Sequence, residues 1–255
     1  MSSDEPQDLS RRSLLTGVGT FGVGMLAAPT SVARAQQAQA DGIGSEREMA
    51  RQVTHALPTG AADGYQSFSL EEAAIVEVLV THMWPTDDLS PDGVALGIAT
   101  FIDRQLAGAY GQGDRLFLSG PFKQGKSEHG YQLAYTPEQY FKVGLRHLGE
   151  ASMRRYSAAP NLLTADQLEN LLRAISSTSS QPTVFDLNSW FNELFYPLFV
   201  RGAFADPLYG GNRGKQAWQM IGYPGLPATY ATDMVTYRGR KHPASDSPMS
   251  IQDFS

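Results

Sequence analysis

Ser69-Leu70-Glu71-Glu72-Ala73-Ala74-Ile75-Val76-Glu77-Val78-Leu79-Val80 opens on a capping box and runs on as a helical stripe. A serine hydroxyl at the N-cap and a glutamate three residues later satisfy each other's orphan backbone N–H groups. Behind the box, Ile75, Leu79 and Met83 recur at i, i+4 and i+8 with Val76 and Val80 beside them, one apolar face of a helix that Pro85 ends. The same grammar returns twice. Thr136-Pro137-Glu138-Gln139 places proline at the first helical position and leads into Phe141, Leu145, Leu148 and Tyr156. Thr164-Ala165-Asp166-Gln167 leads into Leu168, Leu171, Leu172 and Ile175. Val94, Ile98, Phe101, Ile102 and Leu106 predict a further helix, and Leu187, Phe191, Leu194, Phe195 and Leu198 another, kinked at Pro197 because proline removes a backbone donor. No stretch alternates apolar and polar residues for long. The domain is therefore expected to be mainly α: about five or six helices, long irregular loops such as glycine-rich 108–135, and an extended C-terminal tail after Tyr223.

Composition narrows the chemistry. The 255 residues include no cysteine, which excludes disulfides, thiolate nucleophiles, cysteine-ligated clusters and c-type haem attachment in this chain. A net charge of -6 with 18% charged residues offers no basic face for nucleic acid.

The first 35 residues read as an address. Arg11-Arg12 precede a weakly apolar stretch, and Ala33-Arg34-Ala35 is a small-x-small cleavage site before Gln36, the pattern of a twin-arginine export signal. Its apolar part is too short and too glycine-broken to span a membrane, although an uncleaved anchor is the competing reading. Removing it takes away three acids (Asp4, Glu5, Asp8) and three bases (Arg11, Arg12, Arg34), so the mature chain stays at -6. The expected organisation is a signal over 1–35, an N-terminal extension over 36–65 and one helical domain over 66–255. Twin-arginine export carries folded proteins, so a chain with no evident cofactor ligands is expected to fold onto a cofactor-bearing partner and take it across.

Two nucleotide motifs fail on context. Gly17-x-Gly19-x-x-Gly22 lies inside the signal, and Gly120-Pro-Phe-Lys-Gln-Gly125-Lys126-Ser127 has neither a buried strand before it nor a helix start after it. The five histidines show no i, i+4 pair and no HExxH, and there is no Gly-x-Ser-x-Gly elbow. His82 and His147 read as half-buried or surface residues on helices. Asp87 and Asp88 read as turn formers beside Pro85 and Pro91.

The richest segment is Ala205-Asp206-Pro207-Leu208-Tyr209-Gly210-Gly211-Asn212-Arg213, followed by Trp218-x-x-Ile221-Gly222-Tyr223-Pro224-Gly225. A tight turn there would display Tyr209, Arg213 and Trp218 together, and these residue types are enriched at binding hot spots. The same residues equally allow Tyr209 and Trp218 to cap the core while Asn212 bonds local backbone.

In combination these motifs resemble the small (gamma) subunit of gluconate 2-dehydrogenase. Gly120-Pro121-Phe122 with Gly130-Tyr131-Gln132, Phe101-Ile102-Asp103 and the ending Ser250-Ile251-Gln252-Asp253-Phe254 share in the resemblance, which covers roughly residues 66–255. The P-loop-like segment falls in this family's glycine-rich loop, and Lys126-Ser127 is a departure that creates the chance match. The resemblance implies a periplasmic complex associated with the inner membrane. In it a large FAD subunit oxidises a sugar or sugar acid and a cytochrome c subunit with haem c passes electrons to quinone. The small subunit would escort and export the flavoprotein through the twin-arginine translocase. No catalytic, cofactor-binding or metal residue maps onto this chain. Partner contact is expected at Tyr209, Arg213 and Trp218, presented by Asp206, Gly210, Gly211 and Asn212. The competing reading is a stand-alone exported sugar-binding protein using His82, Asp87, Asp88 and the Trp218 region.

Overall fold

The structure, a computed structural model, describes residues 64–254 apart from 115, 123–125, 127, 128, 130, 178–184, 227, 228 and 246. The export-signal positions Arg11, Arg12, Ala33 and Ala35 lie outside the described residues.

Helix α1 spans Leu70–Met83, α2 Ile98–Ala107, α3 Ala109–Gln112, α4 Pro137–Tyr156 and α5 Ala165–Ser176. A longer rod follows, built from α6 (Leu187–Ser189), a π-helical turn (Trp190–Phe195) and α7 (Tyr196–Phe204). Beyond it come α8 (Gln216–Ile221) and α9 (Ala231–Thr236). Short 3-10 turns occupy Pro160–Leu162, Pro207–Tyr209, Arg213–Lys215 and Ile251–Phe254. Among the described residues no β-strand forms, and the nearest approach is one isolated parallel bridge between Gly225 and Met249. The domain is mainly α, as its periodicity predicts.

All three capping boxes are present, each with its N-cap hydroxyl and its N3 side chain bonded reciprocally. Two elements depart from expectation. Helix α2 begins at Ile98, not Val94. Asp92 Oδ1 accepts the Ala95 N–H at 2.8 Å and closes a separate turn, and Gly97 at φ +82° breaks the helical path between them. At Pro197 the disturbance takes the form of the π-helical turn that leads into α7. The Tyr196 N–H reaches back five residues to the Phe191 carbonyl, widening the coil just before the proline that cannot donate.

Helix α2 sits at the centre, packed on α1, α3, α4 and α7. Its apolar stripe of Ile98, Phe101, Ile102 and Leu106 is buried, and so is Asp103 beside it. Asp103 accepts the backbone N–H groups of Gln66, Ser67 and Phe68 at 2.7, 2.8 and 2.9 Å. Lys142 of α4, also buried, donates to the Ser67 carbonyl at 2.6 Å and lies 3.4 Å from Glu72 and 3.8 Å from Glu138. Ser67 Oγ in turn donates to Glu138 at 2.8 Å. This network fixes the segment through which the chain enters α1. Tyr131, at the end of the glycine-rich loop, stacks on buried Tyr140 of α4 with ring centroids 4.1 Å apart.

Candidate functional site

Helix α7 ends at Phe204, and the chain turns back at once. Asp206 caps the 3-10 turn Pro207–Tyr209 with Oδ1, which accepts the Leu208 N–H at 3.0 Å. Asn212 is fully buried in the left-handed region at φ +45°. Its Nδ2 donates to the Ala205 carbonyl at 3.1 Å and its Oδ1 accepts the Ala217 N–H at 3.0 Å. A buried amide satisfied at both ends locks a turn that has no regular ladder of its own. Trp218 is only 4% exposed. Its Nε1 donates to the Phe204 carbonyl at 2.8 Å, capping the end of α7, and its ring meets Tyr223 edge-on at 5.0 Å.

The two glycines are required by close approach. Gly210 sits at φ +95°, where a side chain is strained, and its carbonyl lies 2.2 Å from where a Cβ on Gly97 would stand. A Cβ on Gly211 would fall 2.2 Å from the Gly202 carbonyl of α7. The turn is thus pressed against the start of α2 on one side and against α7 on the other.

What remains outside is Leu208, Tyr209 and Arg213. Tyr209 is 48% exposed. The Arg213 backbone N–H donates to the Leu96 carbonyl at 2.9 Å and its Nη2 to Thr100 Oγ1 at 3.0 Å, while the side chain stays exposed. The expected joint display of Tyr209, Arg213 and Trp218 needs correction at Trp218. The indole turns inward because α8 places its N–H opposite the free carbonyl at the end of α7. Asp206 and Asn212 likewise face inward as braces.

The C-terminal end completes the site; its sequence stood out only through the family resemblance, which did not place it beside the turn. The turn Ile251–Phe254 packs against Pro207–Tyr209, and the Ile251 N–H donates to Asp206 Oδ2 at 2.8 Å. Leu226 N–H donates to the Met249 carbonyl at 2.8 Å, so the tail returns to the domain after the short helix α9. Exposed Ile251 and Phe254 therefore adjoin Leu208 and Tyr209. Ser250-x-x-Asp253 was a local turn signal, since Ser250 N–H and Oγ both bond Asp253 Oδ2 at 2.6 and 2.9 Å. Nothing local announced that the turn would seat on Asp206.

Asp253 also pairs with Lys215. The hydrogen bond from Lys215, and then those from Ser250, lower its carboxyl from 3.8 to about 2. A carboxyl depressed in the folded state stabilises above its unfolded value and loses that contribution as pH falls through the folded one. The contact therefore holds fully above about pH 4 and is lost towards pH 2. An NMR titration of the Asp253 carboxyl should show a midpoint near 2 that moves up towards 3.8 in Lys215→Ala; an unmoved midpoint contradicts the pairing. Tyr223, packed against Trp218, is pushed up to about 12 by burial and then by its bond with Tyr230.

The residues of the competing reading go elsewhere. His82 is half-buried with Nε2 2.8 Å from Glu169 Oε2 of α5. Asp87 Oδ1 accepts the Leu89 and Ser90 N–H groups at 2.9 and 3.0 Å, a local turn. A groove of about 370 Å³ between α4 and α5, with Ala151, Leu171 and Ile175 in its wall, includes none of residues 206–218. Among the described residues no cluster of three or more metal-ligating side chains occurs, and no helix is long and apolar enough to cross a membrane. The P-loop-like match has no strand at 116–118.

A helical domain whose signature turn is braced from within, and whose outer face offers apolar side chains, has the make-up of a subunit that works by association. The family model for gluconate 2-dehydrogenase subunit 3 matches residues 70–225, and the chain belongs to that family of dehydrogenase-complex subunits. No curated protein and no solved structure matches it.

Proposed function

We propose that this chain is the non-catalytic small (gamma) subunit of a periplasmic, FAD-dependent sugar or sugar-acid dehydrogenase. It supports folding, stability and twin-arginine export of the FAD-bearing large subunit, whose electrons pass to a cytochrome c subunit and on to quinone. One observation carries the reading. Leu208, Tyr209, Ile251 and Phe254 are exposed on adjoining turns whose inward groups, Asp206, Asn212 and Trp218, are all hydrogen-bonded. Apolar side chains held outward on a rigid base mark an interaction surface.

The reading is tested by isolating the native complex through a tag on a long linker behind Ser255. Flavin absorbance with a second, larger subunit is the expected result, with haem absorbance from the cytochrome and a mature N-terminus at Gln36. A lone colourless chain overturns it. Within the complex, Tyr209→Ala combined with Phe254→Ala should leave the isolated chain within about 0.5 kcal/mol of wild type, since both side chains are exposed. The yield of assembled flavoprotein should fall about tenfold or more. Wild-type yield would remove this face from the interface.

A further inference from the structure

Helix α1 is apolar on two sides. Ile75, Val76, Leu79, Val80 and Met83 are buried in the core. On the opposite side Leu70, Ala74 and Val78 recur at i, i+4 and i+8; Leu70 is 84% exposed, and Ala74 and Val78 are half-buried. A helix that packs on one face ordinarily turns a polar face to water. Of the acids beside this second stripe, Glu71 and Glu77, the latter already accepts the Tyr65 hydroxyl at 2.6 Å. That bond ties the start of the described chain to α1. Leu89 and Leu162, also exposed, sit on turns.

The chain that leads to Tyr65 carries a stripe to match. Ser45-Glu46-Arg47-Glu48 repeats the serine-to-glutamate spacing of the box that opens α1. Met49, Val53, Ala56 and Leu57 follow at i, i+4, i+7 and i+8, Arg51 stands on the other side, and Pro58 is the stop. A helix of about 12 residues is marginal in water by itself, so its stripe needs a surface to pack on. Over residues 46–57 such a helix is about 18 Å long, against about 17 Å from Leu70 to Thr81 on α1. Residues 58–64 reach at most about 25 Å, which keeps the stripe close to where Tyr65 is held.

We infer that residues 45–57 form an amphipathic strap that covers the outer face of α1, with Met49, Val53 and Leu57 packed on Leu70, Ala74 and Val78. The chain's own segment is the occupant because its tether begins at this face, its length matches the face, and its two acids and two bases over 46–57 leave no net charge to be paired there. The strap fixes where residues 1–44 leave the domain. It concerns this chain alone and stands apart from the docking reading.

The absence of cysteine makes introduced pairs a clean test in the full chain. Val53→Cys with Ala74→Cys joins the middle of the strap to the middle of the face; Arg51→Cys with Ala74→Cys uses the strap's opposite side. Under mild oxidation the Val53 pair should close into an intramolecular disulfide about tenfold or more faster than the Arg51 pair, because a bridge needs Cβ atoms that face each other. Equal rates overturn the inference, and so does a disulfide-linked dimer, which makes a second copy the occupant. A second measurement leaves α1 untouched and decides the matter if Ala74→Cys does not fold. Tryptic cleavage after Arg47 and Arg51 should speed up about tenfold or more in Met49→Asp combined with Val53→Asp, because a strap without its stripe no longer protects its backbone. Cleavage at the wild-type rate overturns the inference.

Discussion

Asp103→Ala should destabilise the domain by about 3–5 kcal/mol, the largest effect expected of any single polar substitution here. Asp103 is buried and its two oxygens accept three backbone N–H groups, from Gln66, Ser67 and Phe68. Alanine leaves the buried Ser67 and Phe68 N–H groups with no acceptor and loosens the segment whose Ser67 carbonyl accepts from buried Lys142. At roughly 2–4 °C per kcal/mol for a domain of this size, the melting temperature should drop by about 6–20 °C. Asp103→Asn restores only part of the loss, because its amide nitrogen faces a donor. Circular dichroism melts of the three chains decide the matter. A melting point for Asp103→Ala within a degree or two of wild type would mean that the entry segment is not held as described.

Trp218→Ala should cost about 3–5 kcal/mol through the cavity left by a buried indole and the uncapped end of α7. The Phe204 carbonyl loses its donor, Tyr223 loses the ring it packs on, and α8 loses its anchor. Trp218→Phe keeps most of the packing and loses the hydrogen bond, for about 1 kcal/mol. This behaviour should contrast with Tyr209→Ala, which lowers assembly without lowering stability. A Trp218→Ala chain that melts like wild type yet fails to assemble would show that the indole is a partner contact after all. The two variants thus separate brace from epitope inside one short motif, where residue types alone left both roles open.

The helices were legible because their signals are local. Ser69 with Glu72, Thr136 with Gln139 and Thr164 with Gln167 are each three residues apart, and each box closes within one turn whatever surrounds it. The start of α2 was misplaced for a non-local reason. Val94 fits the helical spacing, but Gly97 must admit the Gly210 carbonyl and Arg213, and that constraint comes from a segment more than a hundred residues away. The turn at 205–213 was legible as a turn from its proline, glycines and asparagine. Which of its side chains would face outward was not, because Trp218 could turn either way until the end of α7 offered it a carbonyl.

By itself, then, the sequence determined the helical class, three helix starts, the tight turn and the family resemblance, all set by residues within a few positions of one another. Only the tertiary structure decided that Asp103 holds the entry segment, that Asn212 and Trp218 are braces, and that the C-terminal turn seats on Asp206. Those outcomes depend on which buried donor finds which acceptor across the fold, and a donor carries no mark in its own sequence neighbourhood of the acceptor it will meet.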